Sequence, residues 1–224
     1  MGNMDYKIVG MTLGMVGTNC YCIYDSNGTG VFIDPADRGG AIADKLEEMG
    51  IKLSAVLLTH GHFDHMTGAK ELCEKSGAKA YCLDKEKDLI MDPSKNVSLG
   101  FCGEPITFEP DGYLSDGQWL TFGKDGMEIS TEEKEGFSCQ VIATPGHTVG
   151  GCCFYFKSAG VLFSGDTLFD ESVGRSDFPT GSMSTLVRSI KERLFVLPDD
   201  TKVYPGHNGN TTIGHEKKYN PFCV

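Results

Sequence analysis

Leu53-Ser54-Ala55-Val56-Leu57-Leu58-Thr59-His60-Gly61-His62-Phe63-Asp64-His65-Met66-Thr67-Gly68 decides the reading of this 224-residue chain. The apolar run 53–58 has the length of a buried strand and ends in a turn that packs three histidines and one carboxylate into six residues. His60 and His62 stand two apart where the chain leaves the strand, so an extended backbone points both imidazoles to one side. Asp64 and His65 follow in the loop and can turn the other way. Neutral imidazole and carboxylate suit Zn(II) and Fe(II), and four such groups this close together are satisfied by a metal.

Working outward, three later strand ends repeat the arrangement. The apolar stretch 140–143 delivers Thr144-Pro145-Gly146-His147, 161–164 delivers Gly165-Asp166, and 202–204 delivers Pro205-Gly206-His207. Gly or Pro at each end lets the backbone approach closely. Five of the six histidines fall at these ends, a regularity that scattered core histidines would not show.

The rest of the chain supplies a frame for these ends. Short β-rich runs at 6–13, 20–24 and 31–33, punctuated by Gly14, Gly17, Asn27-Gly28 and Gly30, predict an antiparallel meander. It closes at Asp34-Pro35, where the carboxylate can support a metal ligand from behind or form an Asx-type turn. Ile42, Leu46 and Met49 at helical spacing, with Gly50 as a stop, predict a helix over 38–49. A helix capped by Thr67 and running to about residue 75 should follow, then a strand over 78–83. The segment 84–112, broken by Pro93, Gly100, Gly103, Pro105 and Pro110, matches no period and is expected to be a surface excursion, either a binding loop or padding.

Further strands are expected around 119–122, 127–130 and 137–143. A helix over 182–195, with Leu186, Ile190, Leu194 and Phe195 on one side, should separate Asp166 from His207. Mixed strands in two sheets with helices outside both make an α/β, four-layer αββα sandwich, and the length fits a single domain over 1–224.

Bulk properties exclude some function classes. With 31 acidic and 20 basic residues the formal charge is −11, which repels a phosphate backbone and argues against a nucleic-acid substrate. No uninterrupted apolar segment is long enough to span a bilayer. Nine cysteines, an odd number without framework spacing, read as reduced thiols of a cytoplasmic protein, with Cys20 and Cys22 as small core residues. The opening Met1-Gly2 is not an acylation signal, since Tyr6 stands where serine or threonine belongs.

The ordered set His60-Gly61-His62-Phe63-Asp64-His65, His147, Asp166 and His207 resembles the metallo-β-lactamase superfamily, and within it the short hydrolases similar to glyoxalase II. The resemblance covers nearly the whole chain. It implies two divalent metals, zinc first with iron or manganese as alternatives: His60, His62 and His147 would hold one, Asp64, His65 and His207 the second, and Asp166 would bridge.

The implied reaction is hydrolysis of a thioester or related ester by a metal-bridging hydroxide that Asp64 helps to orient. Gly174-Arg175-Ser176-Asp177-Phe178 resembles both the short glyoxalase II-like enzymes and the persulfide dioxygenases of the same fold, and an alternative function is a mononuclear iron dioxygenase using His60, His147 and Asp166. A lactonase or a non-catalytic metal-binding module are further alternatives. Arg175, Lys217 and Lys218 are candidates to meet an anionic small-molecule substrate, and His215 is expected to have a structural or surface role. Full-length glyoxalase II carries a further helical domain that supplies much of its glutathione site, and this sequence ends at Val224, which leaves the carrier thiol open.

Overall fold

The computed structural model describes residues 5–223. Met1 and Gly2, where the acylation question falls, lie outside them. The first sheet has six strands in the order β1-β2-β3-β4-β5-β6: β1 (Tyr6–Leu13), β2 (Thr18–Asp25), β3 (Thr29–Ile33), β4 (Lys52–Leu57), β5 (Lys79–Leu83) and β6 (Gly112–Leu114). β1 to β3 form the expected antiparallel meander, and β3 to β6 then run parallel. Helix α1 (Gly39–Glu48) makes the crossover from β3 to β4, and α2 (Phe63–Met66) and α3 (Ala69–Ser76) lead to β5. Thr67 does not cap α3 as expected: its hydroxyl donates to the Phe63 carbonyl one turn back, and Gly68 takes the cap position.

The second sheet contains β7 (Trp119–Gly123), β8 (Gly126–Ser130), β9 (Ser138–Ala143), β10 (Cys152–Phe156), β11 (Val161–Gly165), β14 (Lys202–Pro205) and β15 (Thr211–Thr212), in the order β15-β14-β11-β10-β9-β7-β8. A small hairpin, β12 (Leu168–Phe169) and β13 (Ser172–Val173), stands apart. β10, a central strand, was not among those expected, although all five of its residues are apolar and buried. Such a run is what a strand covered on both faces looks like.

β9 and β11 each pair antiparallel with β10, and β14 pairs parallel with β11. The three strands therefore run in one direction and end at one edge of the sheet. This pairing brings His147, Asp166 and His207 to the same place.

Alternation sorts the side chains into layers. Tyr21, Ile23, Val31 and Ile33 face inward against Phe154, Phe156 and Phe163 of the second sheet. Cys20, Cys22 and Phe32 face outward beneath Ile42, Leu46 and Leu72 of α1 and α3. On the far side Cys153, Tyr155 and Leu162 pack against Leu186, Ile190 and Leu194. The sequence-derived αββα sandwich is therefore correct. The helix expected over 182–195 is α6 (Met183–Ser189), capped by the Ser182 hydroxyl, and it widens into a π turn at Ile190–Leu194. A last helix, α7 (Ile213–Tyr219), covers the outer face near β14. All nine cysteines are free, and burial pushes the Cys22 thiol up to about 12, as expected for a core residue.

The excursion 84–112 is not padding. It carries two short helices, α4 (Lys87–Ile90) and α5 (Ser98–Phe101), and buries Glu86, Leu89, Ile90, Asn96 and Ser98. No described helix is long and apolar enough to cross a membrane.

Phe154 is fully buried between the sheets, whereas Phe222 is 46% exposed. Phe154→Ala should lower the unfolding free energy by about 3–5 kcal/mol in denaturant melts. Phe222→Ala should cost about 1 kcal/mol or less, and equal losses for the two would contradict the assignment of the core.

Candidate metal centre

The turn after β4 is fixed before any ligand is considered. The Thr59 amide donates to Asp34 Oδ1 at 2.7 Å and its hydroxyl to Asp34 Oδ2 at 2.7 Å. Asp34 Oδ2 also stands 3.0 Å from His65 Nδ1. Asp34 therefore supports the histidine turn from behind.

On the other flank Gly61 donates its amide to Glu86 Oε2 at 2.7 Å, and Gly150, just after His147, donates to Glu86 Oε1 at 2.6 Å. Glu86 is 0% exposed. Burial raises its pKa, and the two amide bonds work against that rise. One carboxylate thus ties the turn of the first sheet to that of the second.

Seven side chains converge in front of this frame. His62 Nδ1 lies 3.1 Å from His60 Nε2 and 2.9 Å from His147 Nε2. Asp64 Oδ2 lies 3.6 Å from His65 Nε2 and 3.5 Å from His207 Nε2. Asp166 stands between the two sets, with Oδ1 3.4 Å from His65 Nε2 and Oδ2 3.6 Å from His147 Nε2 and 3.5 Å from His207 Nε2.

Donors shared by a tetrahedral cation at 2.0–2.1 Å stand about 3.4 Å apart, so both sets have a fitting spacing. Their ligand-type atoms group as His60, His62 and His147, as Asp64, His65 and His207, and as His60, His65 and Asp166. His65 Nε2 and Asp166 Oδ1 are buried without a hydrogen-bond partner, a costly state for polar atoms that a cation would relieve.

The remaining ring nitrogens fix the tautomers. His147 Nδ1 is 2.6 Å from the Arg175 carbonyl, which only accepts, so that nitrogen carries the proton and Nε2 presents its lone pair inward. The Thr59 hydroxyl, already donating to Asp34, can only accept from His60 Nδ1 at 3.1 Å. Burial, reinforced by the neighbouring imidazoles, drives the pKa of His60 well below its usual range and that of His62 to about 3, keeping both neutral. Burial opposes charge on His65 as well, but Asp64, Asp166 and Asp34 outweigh it and raise its pKa. Burial likewise raises Asp64, yet His65, His207 and the Thr18 hydroxyl hold it down at about 2.

Some expected contacts are absent. Lys217 Nζ is bonded to the Leu197 carbonyl and to Asp199 at 2.5 Å, and Lys218 is exposed on the same helix. Both stand on α7, away from the cleft, so the expectation that they meet a substrate is corrected. Arg175 does line the cleft. His215 Nε2 lies 3.0 Å from Glu171 Oε1, outside the cleft.

Three supporting residues escaped the sequence reading. Thr18 donates to Asp64 Oδ2 at 2.7 Å, Asn19 holds the loop of His207 through the carbonyls of Pro205 and Asn208, and Glu86 makes the clamp. None has a signal in its immediate sequence, because each acts on a partner at least 25 residues away.

Glu86→Ala should strand the amides of Gly61 and Gly150, costing about 2–5 kcal/mol of stability. Hydrogen exchange should rise at those two amides above the rise elsewhere, and unchanged protection would show that the carboxylate holds neither turn.

The sequence profile of the Metallo-beta-lactamase superfamily matches residues 13–207. A curated relative, hydroxyacylglutathione hydrolase GloC of Haemophilus influenzae, is 35% identical over 204 residues, covering 91% of this chain and 92% of its own. Among solved structures, the BLEG-1 B3 metallo-beta-lactamase superposes with a TM-score of 0.88 at 34% identity, covering 97% of this chain and 100% of that one. TTHA1623 in a di-iron-bound form superposes at 0.79 with 33% identity, covering 96% and 99%. With the three histidine-bearing turns, Asp166 between them and the αββα frame all in place, this chain belongs to the metallo-beta-lactamase superfamily.

Proposed function

We propose that this chain is a dinuclear metal-dependent thioesterase of the glyoxalase II type, acting on a small acyl thioester. The observation that carries the reading is the placement of Asp166 within 3.6 Å of imidazoles from both donor sets. The hydroxyacylglutathione hydrolase relative supports the thioester class. The di-iron relative supports iron beside zinc as the metal.

His60, His62 and His147 would hold one ion, Asp64, His65 and His207 the other, and Asp166 both. Such ions, when bound, would lower the pKa of a bound water toward neutrality and polarise a carbonyl oxygen. The chain's own groups do the rest. His60 and His62 stay neutral and offer lone pairs, and the proton on His147 Nδ1 is held by the Arg175 carbonyl. Asp64, kept ionised and oriented by Thr18, is available to direct the attacking water. The oxygen of water adds to the acyl carbon and the C–S bond breaks, giving a carboxylate, a thiol and a proton. A thiol with pKa near 8.5 leaves as thiolate, so no general acid is required, which favours thioesters over amides.

His62→Ala and Asp166→Ala should each abolish thioester cleavage and lower the metal content from two ions per chain. Gly206→Ala should weaken metal binding about 10–100-fold with the fold retained, because its Cβ would meet Asp166 Oδ1 at 2.4 Å and His65 Cε1 at 2.6 Å. Metal analysis joined to an anaerobic thioester assay checks all three. Full turnover by metal-depleted protein would refute the reading, and one iron with oxygen uptake on a persulfide would point to a dioxygenase.

A further inference from the structure

The cleft over the metal centre has a volume of about 210 Å³ and an apolar wall of Val16, Phe63, Val97, Phe101, Phe169 and Phe178. An apolar cavity of about 150 Å³ accommodates benzene, whereas pockets for larger ligands run from about 300 Å³ upward. This cleft therefore has room for a phenyl-sized group beside a thioester carbonyl.

The wall is anchored. Phe178 stands edge-on to His62 with ring centroids 5.5 Å apart, and Phe101 stands edge-on to Phe178 at 5.8 Å and 6.0 Å from Phe63. Phe101 remains 48% exposed. Asn96, fully buried, fixes its loop by donating to the carbonyls of Ile90 and Ile106, while its own carbonyl accepts from the Phe63 amide. Val97 is held in the left-handed region at φ 61, which is strained for a β-branched residue and is maintained only where the surroundings enforce it.

Charge separates substrates further. Among the described residues lining the cleft, Arg175 is the only lysine or arginine. Its guanidinium lies 4.0 Å from the Phe178 ring centroid and is bonded to both carboxylate oxygens of Asp177, at 2.9 and 2.7 Å. Its charge is thus already matched. A substrate bearing carboxylates near the reacting carbonyl would find no unpaired lysine or arginine on this wall.

We propose that the cleft selects thioesters whose acyl group is compact, apolar and uncharged, packed against Val97, Phe101 and Phe178 beside His62. The proposal rests on the thioesterase reading for turnover, and binding tests it separately. With the metal-loaded protein and N-acetylcysteamine as the common thiol, the phenylacetyl ester should show kcat/KM at least tenfold above the succinyl ester. Phe101→Ala should reduce that ratio at least fivefold, chiefly through KM, and Phe101→Leu should restore most of it.

Equal or greater kcat/KM for the succinyl ester, or an unchanged ratio in Phe101→Ala, would overturn the assignment. Should no thioester be cleaved, the thioesterase reading falls and calorimetry decides the cleft. Phenylacetate binding at least tenfold tighter than acetate, with the margin lost in Phe101→Ala, supports it; equal affinity overturns it.

Discussion

The amides of the two residues that flank His60 are held by two buried carboxylates. Asp34, at the end of β3, receives the Thr59 amide, and Glu86, just after β5, receives that of Gly61, both at 2.7 Å. A buried amide without a partner costs about 1–3 kcal/mol, so neither bond is optional once the turn is covered. Both carboxylates also reach further. Asp34 touches His65 and Glu86 accepts from Gly150, while the Thr59 carbonyl accepts from Cys152 of the opposite sheet at 2.9 Å. The two sheets are thus aligned at the edge where ligand-type side chains gather, and alignment within tenths of an ångström is what a metal site requires.

Electrostatics makes that edge unsatisfied when left to itself. Asp64, Asp166 and Asp34 surround His65, so the imidazole is driven to hold a proton that burial would remove. His60 and His62, a few ångströms away, are driven neutral. A single proton cannot serve both halves of the cluster. Divalent charge placed between them would match the carboxylates and use the neutral lone pairs at once, which is why the geometry reads as a metal centre and not as a buried ion-pair network.

Much of this was legible in the sequence for a physical reason. His60, His62, His147, Asp166 and His207 each follow an apolar run by a few residues, and strand ends are where parallel strands place their functional groups. The layers were legible because α1 and α6 keep helical spacing in Ile42 and Leu46 and in Leu186, Ile190 and Leu194. Residues that act across the fold were not. Thr18 serves Asp64 from 46 positions away and Glu86 serves Gly150 from 64, and no local pattern encodes either pairing. β10 was missed because a strand buried on both faces shows no alternation. Lys217 and Lys218 looked available as basic residues, but chain order did not reveal that α7 lies outside the cleft and sets Lys217 on Asp199.

The segment 84–112 defeated pattern reading because its residues answer to the site and not to a period. Asn96 spends its side-chain amide on two carbonyls of its own loop and its carbonyl on Phe63, which sits at the start of the turn bearing Asp64 and His65. Val97 accepts a left-handed conformation that local preference opposes, and Asp34, beneath the same centre, does likewise at φ 51. Such strain costs about 1–3 kcal/mol and persists only where neighbouring contacts over-determine it. At Asp34 those contacts are the bonds to Thr59 and His65; at Val97 they are the bonds that fix Asn96 and the Ser98 hydroxyl, which accepts from Ile106 at 3.1 Å. One departure from local preference thus lies under the donor cluster and the other over it, where holding a side chain in place outweighs the comfort of the backbone that carries it.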